Sequence, residues 1–364
     1  MIFSKHGLDK EQFPALTGIR AVAAFMVFFH HLPFDFGIDA FTGLQLSFYS
    51  GVTLFFVLSG FLISYRYYGK IEYSLSFLGI YFVNRFARIY PVYFLVLTIV
   101  ILVNKNFDPV LLLQNYTLTQ NLPFLFHSHG SAISPSWSLT VEECFYILAP
   151  LIFFLCRKFN LLVPFLLMLS VLILIVYTYG NGNWFSNTVT AMILSSFFGH
   201  VVTFFSGIYL ALLILKRKPQ KSTESKSYWT LAGILGIALV FIALIYLTDK
   251  ENSIKYPGMV IFNNLVLPIP VTIFYYGLCF ERSWCRRFLS FNFMKLFGRS
   301  SYAFYLIHFP LIHYLAQPFI QPLFGNYNLY VFTIFIITVL VSVGIYLFYE
   351  HPMNVLIRRR SDFS

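Results

Sequence analysis

Residues 229–247 read WTLAGILGIALVFIALIYL, nineteen consecutive positions without a charged side chain. A helix of about 20 apolar residues spans the ~30 Å hydrocarbon layer of a bilayer, so this stretch reads as a transmembrane helix and decides the class of fold. Outward from it, further apolar runs fall at 16–34, 46–65, 91–103, 139–156, 161–179, 189–215, 259–280, 302–320 and 329–349. The run at 91–103 is short, which suggests a tilted or partly re-entrant crossing. Hydrophobic residues make up 58% of the 364-residue chain and charged residues 11%, and the mean hydropathy is +0.74. That composition excludes a water-soluble domain. The expected fold is all-α and polytopic, with about ten transmembrane helices.

The net charge of +11 raises nucleic acid as a partner, but the positions of the basic residues argue against it. With the N-terminus cytoplasmic and about ten crossings, only Lys105, Lys250 and Lys255 fall in outside segments, and every other Lys and Arg lies in an inside segment. This asymmetry is the positive-inside signature of a membrane protein, and it puts both termini in the cytoplasm. The first run opens near Leu16 and carries Arg20, His30 and His31 where a signal peptide would have small residues and a cleavage site, so it is expected to remain in the mature chain. Cys144, Cys156, Cys279 and Cys285 have no CxxC spacing, and neither a disulfide nor a metal site is expected. One membrane domain, with its core at 12–352, is expected to fill the chain. Of the longer polar stretches, 104–135 faces outside and holds Asn115, Asn121, His127 and His129, which makes it a candidate lid or acceptor surface.

Ionisable side chains inside a span are costly unless they face a cavity or a partner. Arg20 and His31 are separated by three helical turns plus ~20°, which puts them on one face about 16 Å apart, while His30 is rotated ~80° away. His31 is therefore the histidine expected to share an interior cavity with Arg20, and an imidazole suits proton abstraction from a hydroxyl. A histidine that only hydrogen-bonds between helices gives the same pattern. Arg85 and Arg88 share a helix face at the cytoplasmic surface, where such a fork suits the phosphates of a nucleotide-type donor such as coenzyme A. Positive-inside anchoring explains the same pair. Glu142 and Glu143 bring two carboxylates to the outer end of the 139–156 span, where one of them can orient the His31 imidazole. Capping by Ser138 accounts for one acid there. His308, embedded in the 302–320 run, needs a buried partner, and Ser59 and Gly60 read as a close-packing site.

Taken in order, these clusters resemble the acyltransferase 3 family of membrane acyltransferases. The carriers are Leu16-Thr17-Gly18-Ile19-Arg20 followed by His31, the run Phe55 to Ile63 around Ser59-Gly60, and Arg85-x-x-Arg88-Ile89-x-Pro91. Trp137-Ser138-Leu139-x-Val141-Glu142-Glu143-x-Phe145-Tyr146 and Ser301-Tyr302-x-x-Tyr305-Leu306-x-His308-x-Pro310 complete the set. Two positions depart from the common pattern: Thr17 stands where an aspartate is usual, and Cys144 where a glutamine is usual. The resemblance implies an acyl-CoA donor, most simply acetyl-CoA, held from the cytoplasm by Arg85 and Arg88. It implies catalysis by His31 with Arg20, joined by Glu142 and Glu143, and substrate contacts at Trp137, Ser138, Tyr146 and His308. The acceptor would be a hydroxyl of a cell-surface carbohydrate or a lipid-linked glycan precursor, at the bacterial cytoplasmic membrane, with glycan-assembly proteins as partners. Many members carry an added SGNH-type extracytoplasmic domain, and none is expected in this sequence. A transporter or flippase for a sugar or amphiphile is the alternative, although no inverted repeat is visible.

Overall fold

The computed structural model describes residues 12–122, 131–180, 196–217, 227–247 and 261–361. His127, His129, Lys250, Lys255 and the first residues of the 189–215 and 259–280 runs lie outside them. Among the described residues the chain is helical throughout, with no strand. The elements are α1 (Pro14–His31), α2 (Asp39–Leu46), α3 (Gly51–Tyr67), α4 (Leu75–Asn104), α5 (Pro109–Tyr116), α6 (Trp137–Lys158) and α7 (Leu162–Gly180). They continue with α8 (Val201–Lys216), α9 (Tyr228–Leu247), α10 (Pro268–Phe280), α11 (Trp284–Leu289), α12 (Asn292–Pro310), α13 (Tyr327–Ile345) and α14 (His351–Ser361).

Seven helical stretches among the described residues are long and apolar enough to cross a membrane: Asp39–Tyr67, Leu75–Asn104, Ser134–Lys158, Phe198–Lys216, Tyr228–Tyr246, Ile261–Phe280 and Tyr327–Arg358. The chain is thus a multi-pass membrane protein. Helices also stand over the other three apolar runs, as α1, α7 and α12. Two of them carry polar side chains that lower their hydropathy: α1 contains Arg20, His30 and His31, and the first half of α12 bears Lys295 and Arg299.

The third crossing differs from its expectation. It is one helix of 30 residues that starts at Leu75, where Ser74 Oγ accepts from Phe77 N–H, so Arg85 and Arg88 lie within it rather than ahead of it. Pro91 does not break it. A helix proline has no N–H for the carbonyl four residues back, and in a bilayer an open carbonyl costs several kcal/mol. The vacated carbonyl is Ala87 O, and Asn354 Nδ2 of α14 donates to it at 3.1 Å. Pro150 in α6 vacates Tyr146 O in the same way, and Tyr81 of α4 donates its hydroxyl there at 2.8 Å. Each proline gap is filled by a side chain from a neighbouring helix, which locks α4 to α6 and to α14. Tyr81→Phe keeps the ring but opens Tyr146 O, so it is expected to cost about 1–3 kcal/mol. A melting temperature of the purified protein equal to wild type would refute this.

Close approach between helices follows the small residues. A Cβ at Gly60 of α3 would collide with the Phe204 carbonyl of α8, and one at Gly298 of α12 with the Thr17 carbonyl of α1. Glu281 is fully buried because its carboxylate caps α9, accepting from Trp229 N–H and Thr230 N–H, both at 2.7 Å. Asn115 is also buried. Its amide donates to Leu111 O and its side-chain oxygen accepts from Ala132 N–H, both at 2.9 Å. It ties the 104–135 segment together from within and is not itself exposed to an acceptor.

Candidate active site

Helices α1, α3, α4, α6, α12 and α14 enclose a cavity of about 600 Å³. Its lining holds six basic side chains, Arg20, Arg66, Lys70, Arg85, Arg88 and Arg358, against two acidic ones, Glu142 and Glu350. An excess of that size favours a polyanionic ligand. Arg85 lies between the Tyr67 and Tyr146 rings, its guanidinium carbon 5.6 Å from each centroid. Arg88 pairs with Glu350 at 2.7 Å. Each arginine keeps a buried nitrogen without a hydrogen-bond partner, Nε of Arg85 and Nη2 of Arg88. Unpaired guanidinium nitrogens beside an electropositive chamber suit phosphate oxygens.

Of the residues expected at the site, Arg20, Arg85, Arg88, Ser138, Glu142 and Tyr146 line this chamber together. Glu142 accepts from the hydroxyls of both Ser59 and Tyr146, so Ser59 does more than pack. The neighbouring Glu143 is outside the lining, and its Oε1 is buried without a hydrogen-bond partner. Trp137 is also outside it, stacked on His200 at 6.0 Å.

His31 is the main correction. It does not line the chamber with Arg20, although both belong to α1. The chamber follows the N-terminal half of α1, from Phe13 to Arg20, whereas His31 is the last residue of that helix. No hydrogen bond joins either Glu142 or Glu143 to the His31 ring. Its partner is His308, which is fully buried and whose Nε2 lies 3.4 Å from His31 Nδ1. The hydrogen bonds fix the tautomers. A carbonyl oxygen only accepts, so His31 Nδ1 carries the proton it gives to Val27 O at 2.9 Å, and His308 Nδ1 gives its own to Tyr305 O at 2.7 Å. His308 Nε2 is then an acceptor facing the His31 N–H, and His31 Nε2 keeps its lone pair. This is the arrangement of a base oriented by a second group.

Tyr305 joins the two places. Its hydroxyl lies 2.8 Å from Ser138 Oγ, and both groups reach Pro135 O. Its ring meets Phe55 edge-on, and both rings line the chamber, while its carbonyl holds His308. Tyr305 therefore touches both the basic chamber, which it lines, and the histidine pair, which its carbonyl holds.

The sequence reading missed the contribution of the C-terminal segment. Glu350, 2% exposed, is turned into the chamber at the end of the π-helical stretch Tyr346–Glu350, and Asn354 and Arg358 follow it from α14. A lone acid ending an apolar run was a usable signal. Arg66, Lys70 and Arg358 had been read only as topology charges.

Comparison with known proteins agrees with this assembly. The acyltransferase domain family matches residues 13–347. The peptidoglycan O-acetyltransferase OatA of Listeria monocytogenes is 26% identical over 84% of this chain and 50% of its own length. The O-acetyltransferase OatA of Staphylococcus aureus is 25% identical over 94% of this chain and 57% of its own length. The chain thus spans little more than half the length of these relatives. No solved structure matches it. With the family matched from the first residues of α1 to the end of α13, the chain belongs to the acyltransferase 3 family and carries an acyltransferase domain.

Proposed function

We propose that the chain is an integral membrane O-acyltransferase that moves an acyl group from a cytoplasmic acyl-CoA, acetyl-CoA first, to a hydroxyl of a cell-surface glycan or its lipid-linked precursor. The observation that carries this reading is the basic chamber, with its unpaired guanidinium nitrogens, tied through Tyr305 and His308 to a histidine whose Nε2 lone pair is available. Peptidoglycan, the acceptor in a relative's name, is the first glycan to test.

In this scheme about ten helices cross the membrane with both termini cytoplasmic, the basic chamber opens to the donor side, and His31 lies toward the acceptor. Arg85 and Arg88 hold the phosphates of CoA, with Arg66, Lys70 and Arg358 around them, and Arg20 and Glu142 flank the pantetheine arm as it runs toward Phe55 and Tyr305. The acceptor hydroxyl gives its proton to His31 Nε2 as its oxygen attacks the thioester carbonyl. The new C–O bond forms, the C–S bond breaks, and the CoA thiolate leaves and takes up the proton. His308 Nε2 stays hydrogen-bonded to the His31 N–H throughout, which steadies the imidazolium. Glu143, beyond the chamber wall, acts only through its neighbours.

The test is CoA release in proteoliposomes supplied with acetyl-CoA and glycan fragments. Arg85→Ala is expected to raise the KM for acetyl-CoA about tenfold or more, since a charged hydrogen bond to phosphate contributes roughly 1.5–3 kcal/mol. Release that is independent of the protein, or a KM unchanged in the variant, would remove the donor assignment.

A further inference from the structure

Beyond the C-terminus of α1 lies a second hollow, of about 390 Å³, lined by Pro33, Phe34, Asp35, Thr42 and Tyr327. It begins two residues past His31, at most about 7 Å of extended chain. Three aromatic rings form a column beside it, with Phe29 on Phe34 at 5.2 Å and 27°, and Phe34 on Phe36 at 5.6 Å and 21°. Phe41 closes edge-on against Phe36 at 5.2 Å. The outer ring, Phe36, is 54% exposed.

The loop that presents this column is held at fixed points. Gln45 clamps Phe34, accepting from its N–H at 2.8 Å and donating to its carbonyl at 2.9 Å. Asn328 does the same for Asp35, at 2.8 and 2.6 Å. Gly37 makes the turn at φ 66°, a left-handed angle natural to glycine, and donates its N–H to Asp35 Oδ1 at 3.0 Å. The other Asp35 oxygen and the Tyr327 hydroxyl have no hydrogen-bond partner among the described residues. Asp35 and the Asn328 bound to it stand beside the rings, so the column lies among polar groups at a bundle end rather than in hydrocarbon.

An exposed aromatic ring beside a hollow lined by a carboxylate and a phenol hydroxyl suits a ligand with one apolar face and a rim of hydroxyls, which is the chemistry of a pyranose ring. We propose that Phe36, backed by Phe34 and edged by Asp35 and Tyr327, is a platform for one sugar ring of the acceptor glycan, holding it within reach of His31. The ring stacks on Phe36, and its hydroxyls donate to the free Asp35 oxygen and exchange hydrogen bonds with Tyr327. This inference rests on the glycan-acceptor reading and names where that acceptor is gripped.

The experiment uses the protein in phosphatidylcholine nanodiscs and a β-1,4-linked N-acetylglucosamine tetramer as probe, with binding read by saturation-transfer NMR and acetyl-CoA binding measured in parallel. Wild type is expected to bind the tetramer. Phe36→Ala should weaken it at least tenfold, Asp35→Asn severalfold, and Phe36→Trp should retain it, all with acetyl-CoA affinity unchanged. No binding of the tetramer to wild type, or equal binding by Phe36→Ala, overturns the platform. A Phe36→Ala variant that inserts poorly into lipid yet binds sugar normally makes the ring an interfacial anchor and also overturns it. Failure of acetyl-CoA binding in wild type would count against the donor reading alone, because the sugar titration is independent of it.

Discussion

His31→Ala is expected to lower acyl transfer by about 10²–10⁴-fold, the range typical for loss of a positioned general base, while leaving donor affinity close to wild type. The split follows from position. His31 is not among the residues that line the chamber, so its removal leaves the basic lining intact. A variant of a chamber arginine should behave the opposite way, with the donor KM rising first. His308→Ala should fall between wild type and His31→Ala, since it removes the acceptor for the His31 N–H but leaves the bond to Val27 O. Single-turnover consumption of acetyl-CoA with acceptor present, together with titration of a fluorescent CoA analogue, reads both quantities. Unchanged turnover in His31→Ala, or a loss traced wholly to donor affinity, would end the assignment of His31 as base.

The second large effect concerns the Arg88–Glu350 pair. Glu350 is 2% exposed and Arg88 23% exposed, so removing either partner strands the other in a poorly hydrated place. Glu350→Ala is expected to cost on the order of 2–3 kcal/mol of stability, below the ~3–5 of a fully buried pair because Arg88 retains some solvent. The loss is expected at neutral pH and should shrink when Arg88→Ala is added, since removing both charges abolishes the stranded one. Donor binding should respond differently: the double variant regains stability without regaining affinity for acetyl-CoA. Thermal unfolding and CoA-analogue titration on the four proteins of the cycle separate the two. Additive stability losses would mean that the pair is not coupled.

Much of the fold was legible because bilayer chemistry constrains sequence strongly. An uncharged run such as 229–247 has few structural options, and α9 occupies it. The start of α4 was not legible, because Arg85 and Arg88 looked like the end of hydrocarbon when they were charges turned inward, with Tyr67, Tyr146 and Glu350 as neighbours. Helical spacing groups Arg20 and His31 on one face, yet only Arg20 lines the chamber. The chamber lining on α1 stops at Arg20, and His31 meets His308 of α12 instead. The His31–His308 contact spans 277 residues, and no local pattern encodes such a meeting. Glu142 was found by its motif, but its partners Ser59 and Tyr146 emerged only with packing.

The two filled proline gaps also carry a consequence for the order in which the molecule is made. The gap in α6 is closed by Tyr81, which is synthesised 65 residues before the carbonyl it serves, so α6 can complete its bonding as it enters the membrane. The gap in α4 waits for Asn354, 267 residues downstream. Until α14 arrives, a newly inserted α4 holds a bare carbonyl one residue from an Arg88 that has not yet met Glu350. Both groups need water. The last described helix therefore both completes the chamber lining and closes the gap in α4.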